Sequence, residues 1–313
     1  MKAGFYHGLS CLFVVWLVLF TLVGAQQSAK VQNTVPPQVF FDHLYIVVDE
    51  NTYEAVKKSE FIKDTFCMYM EDTVSNEDET YTGAYLHGEH NYIEIFGPDG
   101  FEGAKEGAVG LGFITTRAGD INIVCEGYKR HFGEGLEAEL TYFVSDTSKF
   151  PWYYALASDS SEENPISTWV MEYHPTNLQF MGVIPDSTGF ISREACMTAM
   201  ITMIASAADR LPEPMLFRNI TAISLIMTQG ELDRLSMELS AMSYTKEIQN
   251  NVTSFHGPGI DITCRVKPDP GYRVQALDFS LSRKPESEMI MQLGANSVLT
   301  IFKDGTGQWK FTE

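Results

Sequence analysis

The chain is poor in basic residues and in cysteine, and it has no long apolar run beyond its first 25 residues. Lysine and arginine together number 22 against 41 aspartates and glutamates, which gives a formal net charge of −19. A phosphate backbone would be repelled by such a chain, so the composition argues against a nucleic-acid partner. There is no CxxC pair, glycine-rich phosphate loop or nucleophile elbow. The sequence therefore gives no support for thiolate zinc, nucleotide or serine-hydrolase chemistry.

Residues 1–25 have the features of an export leader. Lys2 supplies the positive end, an apolar run follows, and Val23-Gly24-Ala25 supplies small residues at a cleavage site. We predict cleavage after Ala25 and a secreted or periplasmic protein; the alternative is an uncleaved membrane anchor. The later uncharged run, residues 195–208, is too short to span a membrane and predicts a buried helix. No membrane association is expected after cleavage.

Leader removal would take Cys11 and leave an even number of cysteines. The spacing of those that remain is compatible with two disulfides, and equally with four small buried hydrophobic side chains. The sequence leaves both possibilities open for Cys67, Cys125, Cys196 and Cys264.

One order of elements, a strand, a helix and three strands, is predicted twice along the chain. The first copy spans residues 39–98 and the second residues 111–175. Both copies end in a strand with an acidic residue before a proline, which makes the repeat harder to explain by chance. The pattern predicts an α+β fold made of tandem βαβββ modules.

The remaining segments have other patterns. Residues 26–38 are polar, end in a proline pair and predict a linker. Residues 176–215 predict a helical bridge, because their Ala/Met-rich helix is closed by prolines. Residues 216–313 predict either a third, divergent α+β module or a simple strand-rich extension.

Two residues able to bind a metal lie on predicted strands. Since side chains alternate across a strand, His43 should share a face with Phe41, Tyr45 and Val47, opposite an apolar face. Glu94 lies between two isoleucines, and a carboxylate there is costly to bury unless it is paired or coordinated. His43 and Glu94 could therefore bind a metal together, or simply pair with each other.

Tandem modules of this kind, with His on the first strand and Glu on the fourth, are similar to the vicinal oxygen chelate superfamily of glyoxalase I, extradiol dioxygenases and bleomycin-resistance proteins. More narrowly, the segments NTYEAVKKSEFIKDTF, YTGAYLHGEHNYIEIFGP and WVMEYHP resemble the uncharacterised glyoxalase-like family DUF5829. The resemblance spans residues 41–175. It implies a curved open mixed sheet whose concave face holds a divalent metal that chelates neighbouring oxygens of a substrate.

The resemblance also implies a set of ligands. His43 and Glu94 match two ligand positions in the first module, and Glu172 falls near the corresponding position in the second. The fourth position falls on Gly112, between Leu111 and Phe113, and none of these can bind a metal.

Two histidines are possible substitutes for the missing ligand. His87 would complete a set of two histidines and one carboxylate, which suits Fe(II), Mn or Zn. His174 is a second substitute. With the metal held in this way, Glu172 would be free to transfer protons as the catalytic residue.

The expected function is that of an exported glyoxalase-like protein acting on a small oxygen-bearing molecule, as a metal-dependent lyase, isomerase or dioxygenase. A non-catalytic small-molecule binder of the same fold is the first alternative. An exported interaction module without a ligand is the second. The substrate and the oligomeric state do not follow from the sequence.

Overall fold

The computed structural model describes residues 36–75, 80–145, 148–158, 165–207 and 214–312. The predicted leader and residues 26–35 of the predicted linker lie outside these ranges, so export and the proposed domain boundaries stay predictions. Within the described ranges, no helix has both the length and the apolar character that a membrane span requires.

The first half of the described chain follows the predicted order of elements, a strand, a helix and three strands, twice. A π-helical turn, Ile62–Phe66, follows the first helix. The elements are β1 (Val39–Val47), α1 (Glu50–Lys58), β2 (Met68–Ser75), β3 (Thr80–His87), β4 (Tyr92–Phe96), β5 (Val109–Thr115), α2 (Asp120–Phe132), β6 (Glu139–Ser145), β7 (Ser148–Ala157) and β8 (Ile166–Tyr173).

These eight strands close into a barrel in the order β1-β4-β3-β2-β6-β7-β8-β5. The first and last strands of each copy are parallel, and β1 pairs with β5 in antiparallel fashion. The expectation of an open sheet is wrong, because β2 meets β6 through the pair Ser75 and Val144. Closure removes two exposed sheet edges and turns the expected concave face into an interior.

The second half forms a separate eight-stranded sheet after two further helices. It is ordered β10-β11-β12-β9-β13-β16-β15-β14, and β9 and β12 are parallel. The elements are α3 (Pro175–Met181), α4 (Arg193–Ala207), β9 (Phe217–Met227), α5 (Gln229–Ala241), β10 (Thr245–Gln249), β11 (Val252–Gly257), β12 (Ile260–Val266), β13 (Val274–Leu281), β14 (Met289–Gln292), β15 (Ser297–Ile301) and β16 (Thr306–Phe311). The segment from β9 to β12 again has a strand, a helix and three strands, and four strands without a helix follow it.

The core lies between the outside of the barrel and the second sheet. Leu44 and Ile46 of β1 and Ile93 of β4 belong to the same buried cluster as Ile223 and Leu225 of β9. This is the apolar face that the alternation of β1 predicts. Full burial of each such side chain stabilises the fold by about 1.5–3 kcal/mol.

Two smaller expectations have clear outcomes. The four cysteines, Cys67, Cys125, Cys196 and Cys264, are all free and buried, so they serve as small core side chains rather than as disulfides. The Ala/Met-rich helix α4, expected to be buried, has an exposed side that includes Met203.

Candidate active site

The barrel contains a cavity of about 810 Å³ that is partly open to solvent. Alternate residues of its strands point inward, as the pleat of a strand requires. Thirteen of the described lining residues are aromatic, and α3 and α4 contribute methionines to the wall. The aromatic side chains are Tyr45, Tyr81, Tyr85, Tyr92, Phe96, Phe101, Phe143, Phe150, Trp152, Tyr153, Trp169, Tyr173 and Phe180.

A β-bulge in β1 shapes the polar part of this wall. The pairing of β1 with β5 shifts between Phe41 and His43, leaving Asp42 as the extra residue. Asp42 and His43 both line the cavity, whereas Phe41 packs in the core against Phe113. The prediction that Phe41 shares the face of His43 is therefore wrong. The same prediction for Tyr45 is correct, since its side chain lines the cavity.

His43 lies between two carboxylates, one on each side of its ring. Its Nδ1 donates a hydrogen bond to Asp42 Oδ2 at 2.6 Å, and its Nε2 lies 3.9 Å from Glu94 Oε1. Asp42 is fully buried and forms an ion pair with Arg193, the first residue of α4. Asp42 thus orients the imidazole through Nδ1, and Nε2 is directed towards Glu94.

Burial and neighbouring charges shift the pKa values of Asp42, His43 and Glu94. Burial alone would raise the pKa of Asp42, but the charge of Arg193 and the hydrogen bond from His43 lower it below its usual value. Burial would lower the pKa of His43, but the Glu94 and Asp42 carboxylates raise it. Burial raises the pKa of Glu94, and the opposing effect of His43 is smaller. The His43 and Glu94 side chains therefore both bind a proton more readily than in water.

Gly112 lies directly opposite His43 in the antiparallel pair of β1 and β5. A Cβ atom on Gly112 would stand 2.6 Å from His43 Cε1, closer than carbon atoms can approach without displacement. The position predicted to lack a ligand is thus the place where the imidazole of His43 packs.

His87 does not join His43 and Glu94. The ring of Tyr92 is stacked on His43 with centroids 4.5 Å apart and on His87 with centroids 5.2 Å apart. Because β4 lies between β1 and β3, Tyr92 separates the two imidazoles. Nδ1 of His87 lies 3.2 Å from the carbonyl oxygen of Met68, to which it donates a hydrogen bond in its neutral form.

Glu172 faces away from the cavity. Its carboxylate accepts hydrogen bonds from Gly119 N, Ile121 N and Thr115 Oγ1, at 2.7, 3.0 and 2.9 Å, so that it caps the start of α2. The predicted catalytic role of Glu172 in the cleft is not supported by this position.

The pairing register of the strands explains why Glu172 does not face the cavity. His43 pairs with Tyr92, two residues before Glu94, and Gly112 pairs with Trp169, two residues before Met171. The counterpart of Glu94 is therefore Met171, and a shift of one residue turns Glu172 to the opposite face.

His174 has a structural position too. It precedes α3, and its Nδ1 accepts a hydrogen bond from Thr176 N at 3.1 Å, which caps that helix. Its side chain is not among those that line the cavity.

The residues present do not fit the metal site that the resemblance implies. Only His43 and Glu94 converge, and the other implied positions are occupied by Gly112 and Met171. Throughout the described ranges, no three His, Cys, Asp or Glu side chains are grouped so that they could hold a metal ion. The predicted set of His43, Glu94 and His87 is thus not assembled.

Sequence reasoning missed three residues of the site. Asp42 is adjacent to His43, but only the bulge brings it to the same side. Arg193 comes from a helix predicted as a bridge, about 150 residues later in the chain. Asn177 of α3 is buried and lines the cavity, and its Nδ2 has no hydrogen-bond partner among the described residues. No local pattern in the sequence signals the last two.

Residues 41–311 match the family described as "Family of unknown function (DUF5829)". The chain belongs to this family. The prediction of DUF5829 from residues 41–175 is confirmed, and the match extends through the second sheet. No curated protein matches the chain.

Two solved structures are similar to the chain at low sequence identity. A hypothetical protein from Staphylococcus aureus aligns at 11% identity over 84% of this chain and 98% of its own, with a TM-score of 0.47. A fusion protein of a xylose isomerase-like TIM barrel with 4-hydroxyphenylpyruvate dioxygenase aligns at 10% identity over 75% of this chain and 34% of its own, with a TM-score of 0.35.

Proposed function

We propose that the DUF5829 barrel binds a small, largely apolar molecule in its interior, and that His43 and Glu94 move a proton on that molecule. The observation that carries this proposal is the orientation of His43 Nε2, which Asp42 directs from behind towards Glu94 across 3.9 Å of an aromatic-lined cavity. With the predicted leader, this activity would be exported.

The two side chains are suited to opposite roles. Because Asp42 accepts a hydrogen bond from Nδ1, the neutral imidazole has its lone pair on Nε2, where it can act as a base. Glu94 begins as the carboxylate; because burial raises its pKa, it readily accepts the proton from His43 and returns it to the ligand. Removing a proton from one atom of the ligand and returning it to another is an isomerase step that needs no further reactant.

Binding is tested first with a neutral fluorescent probe, N-phenyl-1-naphthylamine. Ala155 lines the cavity, so Ala155→Trp should fill part of it and weaken probe binding at least about tenfold, since the volume of a buried site is not easily recovered. The same change at Ala295, an exposed residue before β15, serves as the control. Equal binding by the native protein and Ala155→Trp would contradict an interior site.

Proton transfer is tested on molecules that displace the probe. Incubated with native protein in deuterium oxide, at least one should gain deuterium at carbon, measured by mass spectrometry. We expect His43→Ala and Glu94→Gln to lower the rate at least about a hundredfold, the usual contribution of a positioned acid or base. Displacement of the probe without any exchange would favour the non-catalytic binding protein instead.

Metal content separates this proposal from the metal-dependent alternative. Since only His43 and Glu94 converge, elemental analysis of protein purified without chelator should give well below one equivalent of Fe, Mn or Zn. A full equivalent of one metal, lost in both His43→Ala and Glu94→Ala, would overturn the metal-free assignment.

A further inference from the structure

The ionisable groups in the cavity wall have an uneven balance of charge. Among the described residues, four carboxylates line it together with a single lysine, Lys105, which is exposed. His87 is neutral at pH 7, since burial lowers its pKa to about 4. The lining carboxylates are Asp42, Asp72, Glu94 and Glu102.

These carboxylates differ in what balances their charge. Asp42 is neutralised by its buried ion pair with Arg193. Asp72 and Glu102 are exposed, so water solvates them. Glu94 lies inside; it has a hydrogen bond with the uncharged Tyr92, and the nearest basic atom among the described residues is His43 Nε2 at 3.9 Å, beyond hydrogen-bonding distance. A ligand that reaches Glu94 therefore meets a carboxylate whose charge is only loosely compensated.

Aromatic rings surround this carboxylate. Tyr92 and Phe96 lie two residues before and after Glu94 on β4, and Tyr85 of β3 pairs with Glu94. Tyr45 and Trp169, which are stacked with centroids 5.9 Å apart, cover the neighbouring wall. The two faces of Tyr92 are stacked on His43 and His87; the faces of the other rings carry negative potential and attract cations.

From this arrangement we infer that the ligand of the barrel is an organic cation, a small amine or quaternary ammonium with an apolar body, which places its charge against Glu94 and the surrounding ring faces. The inference rests on the proposed function, because it names the class of molecule that the interior binds. A neutral ligand would leave Glu94 without an added partner, and an anionic one would meet repulsion from Glu94 and from a chain of net charge −19.

A second observation supports a polar ligand in this cavity. The amide of Asn177 is buried in the cavity wall, and its nitrogen has no hydrogen-bond partner among the described residues. Such a buried donor is costly unless a bound molecule accepts its hydrogen bond. The cation should therefore also carry an oxygen acceptor.

The test compares probes of the same shape and different charge. Phenyltrimethylammonium and tert-butylbenzene differ by one charge, and benzoate supplies an anion. Measured by displacement of N-phenyl-1-naphthylamine at low salt, phenyltrimethylammonium should bind at least tenfold more tightly than tert-butylbenzene, and benzoate should bind weakest.

Two variants test whether Glu94 causes the preference for the cationic probe. Glu94→Gln should bind phenyltrimethylammonium and tert-butylbenzene equally and keep its affinity for the latter. Glu288→Gln, which removes one exposed carboxylate, changes the net charge by the same amount and should keep the preference. Equal binding of both probes by the native protein would overturn the inference and leave the proposed function standing. Binding of none of the probes, including the fluorescent one, would overturn the proposed function itself.

Discussion

Replacing Arg193 with methionine should destabilise the protein by about 3–5 kcal/mol, the usual cost of removing one member of a buried ion pair. Asp42 is 1% exposed, and among the described residues its carboxylate would keep only His43 as a partner for its charge. The free energy of unfolding in urea at pH 7 measures the effect. The same substitution should also loosen the orientation of His43, because Arg193 and His43 share the Asp42 carboxylate.

An exposed arginine provides the matched control. Arg218 pairs with Glu89 at 3.0 Å, but both side chains are about half exposed, so Arg218→Met should cost at most about 1 kcal/mol. The double variant Asp42→Asn with Arg193→Met should recover part of the lost stability, since it no longer buries an unpaired charge. If Arg193→Met costs no more than Arg218→Met, the ion pair does not hold α4 against the barrel wall.

The alternation of side chains in β1 could be predicted from the sequence only as far as the strand is regular. From His43 onwards, Tyr45 points inward and Leu44 and Ile46 point into the core, as period-two alternation requires. Phe41 breaks the rule because of the bulge at Asp42. A bulge is a property of two paired strands, so nothing within β1 alone could reveal it.

The ligand positions expected in the second module differ from the structure for a related reason. The sequence places Gly112 at the position of the fourth ligand, and in the structure Gly112 pairs with His43 of β1. The sequence predicts Glu172 in the cleft because it is an acidic residue near the end of its strand, like Glu94. Glu172 is one residue beyond Met171, the counterpart of Glu94, so its side chain lies on the opposite face of β8. There its carboxylate accepts hydrogen bonds at the start of α2. Strand register depends on the partner strand, which the sequence of β8 does not specify.

Arg193 and Asn177 show what long-range packing adds. Both lie in the segment predicted as a bridge, and its helices α3 and α4 supply the cation behind Asp42 and a polar group in the cavity wall. The site is thus made by the barrel and by the segment that follows it. A prediction limited to the two repeated modules necessarily contains only part of it.

Acid should destabilise the protein through His87, which is buried and packed against Tyr92. Burial lowers its pKa to about 4, against 6.5 for an unperturbed histidine. Between these two values the unfolded chain binds a proton that the folded chain does not, so the stability contributed by the neutral ring is present above pH 6.5 and lost as the pH falls towards 4. The shift corresponds to about 3 kcal/mol.

His87→Gln isolates this contribution, because glutamine can keep a hydrogen bond to the Met68 carbonyl but does not titrate. The native protein should lose about 3 kcal/mol more than His87→Gln between pH 7.5 and pH 4, measured by urea unfolding at each pH. His131→Gln, at an exposed position in α2, should follow the native protein. Equal acid sensitivity of native protein and His87→Gln would mean that His87 is protonated inside the folded barrel. In that case the charge balance around Glu94, and the class of ligand inferred from it, would have to be revised.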